Sequence, residues 1–267
     1  LPMLPHKNLI PDINLTPYSI WLATVVVSGI SYLSYLLKRY VFHESGVLVS
    51  GIIGGLYSST ATISVLARKS RKASEQEANE YVAAMLLAVS MMFLRFMILI
   101  LIFSREIFTS IYPYLLIMSV VAAVVAWFIH SRHRRSKDMT DESEDEDSSN
   151  PLEFKVALIF ATLFVVFTVL THYTLVYAGT GGLNLLSFVS GLSDITPFIL
   201  NLLQNTGSVA VLVVVACSMQ AIISNILVNM FYALFFAGKG SKLRPWILGG
   251  FGTVIGVNLV LLLFFYL

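Results

Sequence analysis

Charge is what this chain has least of. Of 267 residues only 12% are Asp, Glu, Lys or Arg, 57% are hydrophobic, and the mean hydropathy is +0.82. Soluble domains carry about a quarter charged residues, so a water-soluble globule is excluded. The net charge of +2 supplies no basic field for nucleic acid. Cysteine is reduced to Cys217, which excludes an intramolecular disulfide and lies within an apolar run, where it reads as a small core residue. No Cys/His cluster has metal-ligand spacing, and no glycine-rich loop follows a strand to cradle a phosphate, so no cofactor or metal is expected. A signal-peptide pattern is missing too. The chain opens LPMLPHKNLIPDINLTP without an initiating Met, and its start reads as a cut or processing point in something longer.

What is present is a series of eight apolar segments, spanning Tyr18 to Leu37, Gly46 to Ala67, Tyr81 to Phe103, Tyr114 to Ile129, Val156 to Tyr177, Gly181 to Leu203, Val209 to Ala237 and Trp246 to Leu267. Each unbroken run reaches or approaches the roughly 20 residues of a spanning helix. Trp21, Trp127 and Trp246 fall near segment ends, where interfacial belts place Trp. Between the fourth and fifth segments, residues 131–152 change from basic (Arg132, Arg134, Arg135, Lys137) to acidic (Asp141, Glu142, Glu144 to Asp147) with almost nothing to bury. They read as a solvated linker. The organisation expected is an N-terminal segment 1–17, a membrane repeat 18–130, a linker 131–152 and a second repeat 153–267.

Two of the segments are broken. GVLVSGIIGGLYSSTATISVLA, from Gly46 to Ala67, holds three glycines and a Ser-Ser-Thr run in its middle. Glycine weakens helix, and hydroxyls can replace backbone partners. Twelve residues from Gly46 to Tyr57 rise only about 18 Å, so the break falls deep in a core about 30 Å thick. Irregular backbone at that depth requires protein or a watery cavity around it. The stretch Gly181 to Leu203 has the same character.

The halves resemble one another. Gly55-Leu56-x-Ser58-x-Thr60 recurs as Gly191-Leu192-x-Asp194-x-Thr196, 136 positions later, and the Ser90/Arg95 spacing recurs as Ser224/Asn229 at 134. Lysine and arginine arbitrate the topology, since short cytoplasmic loops collect them. If all eight segments span, the two sides carry ten and six. If both broken segments are re-entrant hairpins, the division is fourteen against two (Lys7 and Arg105), with Arg95 inside the membrane. The hairpin arrangement gives three spanning helices per half and opposite orientations, the plan of an inverted-repeat transporter. The alternative is a pair of kinked spans, because Gly51-x-x-x-Gly55 is also an ordinary close-packing motif. The fold class expected is therefore all-α integral membrane, as two inverted repeats of three helices and one broken or re-entrant hairpin each.

The run GIIGGLYSSTATISVLARKSRK resembles the signature of the uncharacterised membrane domain that follows the MgtC domain in longer MgtC/SapB-family proteins. The likeness extends to LPMLP, SIWLATVVVSGISYLSY, GLSDIT and AIISNILVNMFYALFFAGKGSKLRP, and so covers most of the chain. Two positions depart from the family pattern: Thr196 stands where it has an acid, and Asn229 where it has a lysine. A charge pair is thus replaced by a neutral pair, and ion coupling through those positions is in doubt. The resemblance implies a bacterial or archaeal cell-membrane protein, normally attached to an MgtC-like region that this chain lacks. It implies no function.

Within the apolar segments only Arg95 and Asp194 are charged. Each costs roughly 2.5–3.5 kcal/mol at the bilayer centre on insertion scales, so each faces protein or water. Opposed hairpin tips would gather Ser58, Ser59, Thr60, Arg95, Asp194, Thr196, Asn225 and Asn229 into one polar site. Helix ends and Arg95 there could hold a small ion or polar solute, with a slight preference for an anion. The structural alternative is an Arg95–Asp194 ion pair with hydroxyls satisfying the broken backbone. His172, Tyr173, Met91, Met92 and the aromatics Phe231, Tyr232, Phe235 and Phe236 read as interfacial or packing residues. An enzyme is not expected, because no His or Lys base lies near Ser58 or Ser59 in sequence.

The expected function is secondary transport or facilitated passage. The second class is a non-transporting module that binds or regulates another membrane protein. The expected partners are the bilayer and a small solute, with a homo-oligomer left open. The expected location is the cell (inner) membrane, with the 131–152 linker cytoplasmic.

Overall fold

The computed structural model describes residues 4–5, 7–10, 13, 15–41, 46–71, 73, 75–131, 154–204, 209–238 and 241–266. The linker 131–152 lies outside the described residues apart from Ser131, as does part of the 1–17 segment. Eight α-helices make up the described chain: α1 (Pro17–Leu36, followed by a π-helical turn Leu37–Val41), α2 (Val47–Lys69), α3 (Glu75–Phe103), α4 (Arg105–Ser131), α5 (Phe154–Ser190), α6 (Ile195–Gln204), α7 (Val211–Ala237) and α8 (Arg244–Tyr266). All but α6 are long and apolar enough to cross a membrane. The chain is a multi-pass helical membrane protein.

Local chemistry sets the ends. α1 starts with a capping box in which Thr16 and Ser19 satisfy each other's backbone N–H groups, with Pro17 at the first helical position. α4 begins at Arg105 rather than at Tyr114, because Pro113 is carried inside the helix instead of starting a new one. α3 likewise starts six residues before Tyr81. The second broken stretch is shared between the last turns of α5 and the whole of α6. Gly179 breaks α5 with φ +60°, a backbone conformation that side-chain-bearing residues rarely adopt.

α2 folds back on itself. Ser58 has extended dihedrals (φ −158°, ψ 109°) between a limb at 47–57 and a limb at 59–69. In one continuous helix Gly54 and Thr62 would stand about 12 Å apart. Here a Cβ on Gly54 would lie 2.5 Å from Thr62 Oγ1. α6 in turn runs beside α5, where Asn201 Nδ2 donates to Thr168 Oγ1 at 2.6 Å.

The two broken regions pack by one rule. On the first limb of α2, Gly51 and Gly55 press against the backbone of Ala84 and Ala88 in α3. On the last turns of α5, the Cys217 thiol donates to Asn184 Oδ1, Ser187 donates to Gln220, and Gly191 presses against Ser224, all three partners lying on α7. In all five pairs the partners are 33 residues apart. The Gly-Leu repeat at 136 is thus also a packing repeat. The Ser90 match at 134 is not: Ala88, not Ser90, is the counterpart of Ser224, and Ser90 bonds instead to Ser119 on α4 at 2.8 Å.

The ends can be followed through contacts. Ser34, near the C-terminal end of α1, donates to Ile53 O in the first limb of α2. Arg71, just past α2, donates to the Phe235 and Phe236 carbonyls at the C-terminal end of α7. Gln204, closing α6, donates to Ser19 O at the N-terminal end of α1. The open end of the α2 fold and the end of α6 therefore lie at opposite ends of α1.

Candidate functional site

Both broken regions end in a capped turn. Ser58 Oγ accepts the N–H of Ala61 at 3.3 Å, so Ser58 caps the limb 59–69. Asp194 accepts the N–H of Thr196 at 2.9 Å and caps α6. Ser58 and Asp194 hold the same place in the Gly-Leu repeat, and they are the same device with different charge.

The carbonyl ends of the turns are served from α3 and α7. Arg95 donates through Nη1 to Tyr57 O at 2.7 Å and through Nη2 to Thr196 Oγ1 at 3.3 Å, so one guanidinium joins both turns. Asn225 Nδ2 donates to Gly191 O at 3.4 Å and to Ser193 O at 3.5 Å. Asn229 Nδ2 donates to Asn225 Oδ1 at 3.2 Å, and its own Oδ1 is buried without a partner among the described residues. Arg95 is 9% exposed.

These groups surround a cavity of about 420 Å³. Seven of the eight sequence-predicted residues line it: Ser58, Ser59, Thr60, Arg95, Asp194, Thr196 and Asn225. Asn229 stands one turn behind and braces Asn225. Sequence reasoning missed Ser28 and Ser31, which α1 contributes to the wall. Their spacing of three, continued by Ser34 on the same apolar helix, was the available signal. Tyr57, Ser193 and the predicted packing residue Tyr232 also line the cavity, and the first turns of α5 close it with Ile159, Phe160 and Leu163. Met92 joins the lining, whereas Phe231 and Phe235 are exposed on the outside of α7.

No direct Arg95–Asp194 ion pair is present among the described residues, although the two charges lie close enough to interact. Among the described residues Arg95 and Asp194 make their polar contacts to the turns, not to each other. The reason is local: a broken helix presents bare carbonyls on one side and bare N–H groups on the other, and each charge is drawn to its complement. Among the described residues no group of three or more His, Cys, Asp or Glu could hold a metal ion. The arrangement offers hydroxyls, one guanidinium, one carboxylate and two helix N-termini around a space for a small polar solute.

Seven long apolar helices, of which α1, α2, α3, α5 and α7 line one cavity together with the start of α6, define a multi-pass helical membrane protein. The chain belongs to the DUF4010 family, a domain of unknown function whose model matches residues 25–237, from α1 to the end of α7. An uncharacterized protein of Aquifex aeolicus (strain VF5) is 27% identical over 221 residues, which cover 82% of this chain and 94% of that protein. No solved structure matches.

Proposed function

We propose that this protein is a membrane transporter or facilitator that passes a small polar solute, preferentially an anion, through the chamber between the two turns. The observation that carries the reading is Arg95. A guanidinium 9% exposed in the interior of an apolar helix touches both turns and lines a 420 Å³ cavity. A buried charge is expensive to keep, and charges at such depth mark solute paths.

The wider arrangement we propose is two inverted repeats, 18–130 and 153–267, each with three spanning helices and one re-entrant hairpin. Three observations support it. The limbs of α2 fold back, the packing pairs share one 33-residue register, and the α2 fold and α6 end at opposite ends of α1. The fourteen-to-two division of Lys and Arg supports the same arrangement, in which the 131–152 linker is cytoplasmic and the protein lies in the cell (inner) membrane. The MgtC/SapB resemblance adds an N-terminal MgtC-like region to this proposal.

The test is flux. The full chain is reconstituted in liposomes, and chloride, nitrate and formate entry is followed by osmotic swelling. Flux above protein-free vesicles is expected. Arg95→Ala should lower it at least about tenfold, in line with a charged hydrogen bond worth about 1.5–3 kcal/mol. A flux left unchanged by both Arg95→Ala and Asp194→Asn would sink the reading. A protein without flux, whose polar residues tolerate substitution, would instead be a regulatory module.

A further inference from the structure

We propose that the solute is an organic anion, whose carboxylate or sulfonate head meets Arg95 while a compact hydrocarbon group lies against an apolar wall made by Phe160 and Leu163 of α5 with Met92 and Phe96 of α3. This rests on the transport reading above and adds to it the class of substrate and the residues that select it.

The chamber has two kinds of wall. The turns, α1 and α7 supply hydroxyls and a carboxamide, with Ser28 and Ser31 coming from α1. α5, the first helix of the other half, supplies Ile159, Phe160 and Leu163, all apolar. Leu163 stands four residues after Ile159 and three after Phe160, so the three share one helical face. A hydroxyl was at hand in the same turn. Thr162 is exposed outside the lining and donates to Leu158 O at 2.8 Å. α5 thus turns hydrocarbon toward the chamber and its hydroxyl away from it, the reverse of what a hydrated inorganic ion would need.

Hydrocarbon also flanks the guanidinium. Met92, one turn before Arg95 on the same face of α3, and Phe96, the next residue, are both buried and both line the chamber. A ligand held by Arg95 is therefore within one helical turn of a thioether and an aromatic ring.

Size and hydration decide between the classes of anion. A cavity of about 420 Å³ falls in the range of pockets that hold organic ligands, about 300–1,000 Å³. Chloride or nitrate would fill a small part of it, and would lose water against a wall that returns no hydrogen bond. An organic anion avoids that loss. Its head takes the guanidinium and the hydroxyls, and its hydrocarbon leaves water for the wall, a gain of up to about fourfold in affinity per methylene.

The experiment is calorimetric titration of the purified full chain in detergent micelles with sodium alkanesulfonates, from methanesulfonate to pentanesulfonate, with the heats of empty micelles subtracted. Sulfonates stay ionised, so no neutral acid enters the micelle. In the wild type the affinity is expected to rise about two- to fourfold per methylene, which makes pentanesulfonate at least about tenfold tighter than methanesulfonate. Phe160→Ala and Leu163→Thr should each flatten the series and cut that ratio at least about threefold. Arg95→Gln should weaken every member at least about tenfold. A flat series in the wild type, or a slope that both wall variants leave intact, overturns the proposal. A flat series beside Arg95-dependent formate flux in liposomes overturns it while transport stands. A steep series without flux of any of these anions keeps the organic-anion site and overturns transport. Absence of both binding and flux overturns the two together.

Discussion

Replacing Gly55 with alanine tests the packing rule on which both turns depend. A Cβ at Gly55 would lie 2.5 Å from Ala88 Cα and 2.7 Å from its carbonyl oxygen. At Gly51 the corresponding distance to Ala84 O is 2.4 Å. Ordinary contact begins near 3.4 Å, so α3 would have to retreat by about 1 Å. The obstacle is backbone, which no rotamer change relieves. A gap of 0.5–1 Å already forfeits about a quarter to a half of a dispersion contact, and contact of this kind is what holds membrane helices together. Overpacking costs about 1–3 kcal/mol, while removing a helical glycine returns about 0.5–1 kcal/mol. The net expectation is a loss of about 1–2 kcal/mol. Gly29 of α1 is the control, since nothing lies within 4 Å of a Cβ there. Gly29→Ala should be neutral or stabilising by up to about 1 kcal/mol.

The assay is reversible unfolding of the purified protein in mixed micelles by SDS titration, with helicity and tryptophan emission as readouts. The second half supplies an internal repeat of the experiment. Gly191→Ala meets Ser224 Cβ at 2.3 Å and Ala221 O at 2.7 Å. It should cost a similar amount, and Ser224→Gly should recover only part of it because the carbonyl remains. Gly55→Ala and Gly191→Ala proteins as stable as Gly29→Ala would refute the close approach, and with it the shared register.

Three further outcomes follow from contacts away from the chamber. Tyr114 of α4 donates to Asn258 of α8, both buried; Tyr114→Phe should cost about 1–3 kcal/mol in the same titration. Arg71→Ala removes the donor from the Phe235 and Phe236 carbonyls at an exposed helix end. A loss of at most about 1 kcal/mol is expected, with faster proteolysis after Ala237 as the more sensitive readout. Single cysteines at Glu44 and Ser74 in a Cys217→Ala background should both react with a membrane-impermeant thiol reagent from the cytoplasmic face. Labelling from opposite faces would make α2 a kinked span and remove the inverted repeat.

Much of the site was legible because deep polar residues are few. In an apolar chain, Ser58, Ser59, Thr60, Arg95, Asp194 and Thr196 have little else to do than meet one another. The break in α2 was legible from the same composition. What escaped was whatever depends on shape. The match of Ser90 to Ser224 looked like a repeat, but the close approach to Gly55 and Gly191 asks only for a small residue. Ala88 answers it in one half and Ser224 in the other. Ser28 and Ser31 escaped because two hydroxyls in a membrane helix usually bond their own backbone. The start of α4 lies ahead of the apolar segment at Tyr114 because a proline such as Pro113 is tolerated in a membrane helix where neighbours satisfy the freed carbonyl.

The charges in the chamber are more than the backbone requires, and the two halves demonstrate this against each other. Closing a broken helix needs an acceptor for its new N-terminal amides and a donor for its new carbonyls. In the first half the acceptor is neutral Ser58 and the donor is charged Arg95. In the second the acceptor is charged Asp194 and the donor is neutral Asn225. Tyr57 and Ser193, whose carbonyls are served, hold the same place in the repeat. Each structural task is therefore performed once by a neutral group, which shows that a neutral group suffices. Arg95 in particular, 9% exposed, adds desolvation cost without adding closure. The charged versions set a positive group on Tyr57 and Thr196 and a negative group on the amide of Thr196 at one cavity, and it is on this surplus of charge over closure that the proposed passage of a solute rests.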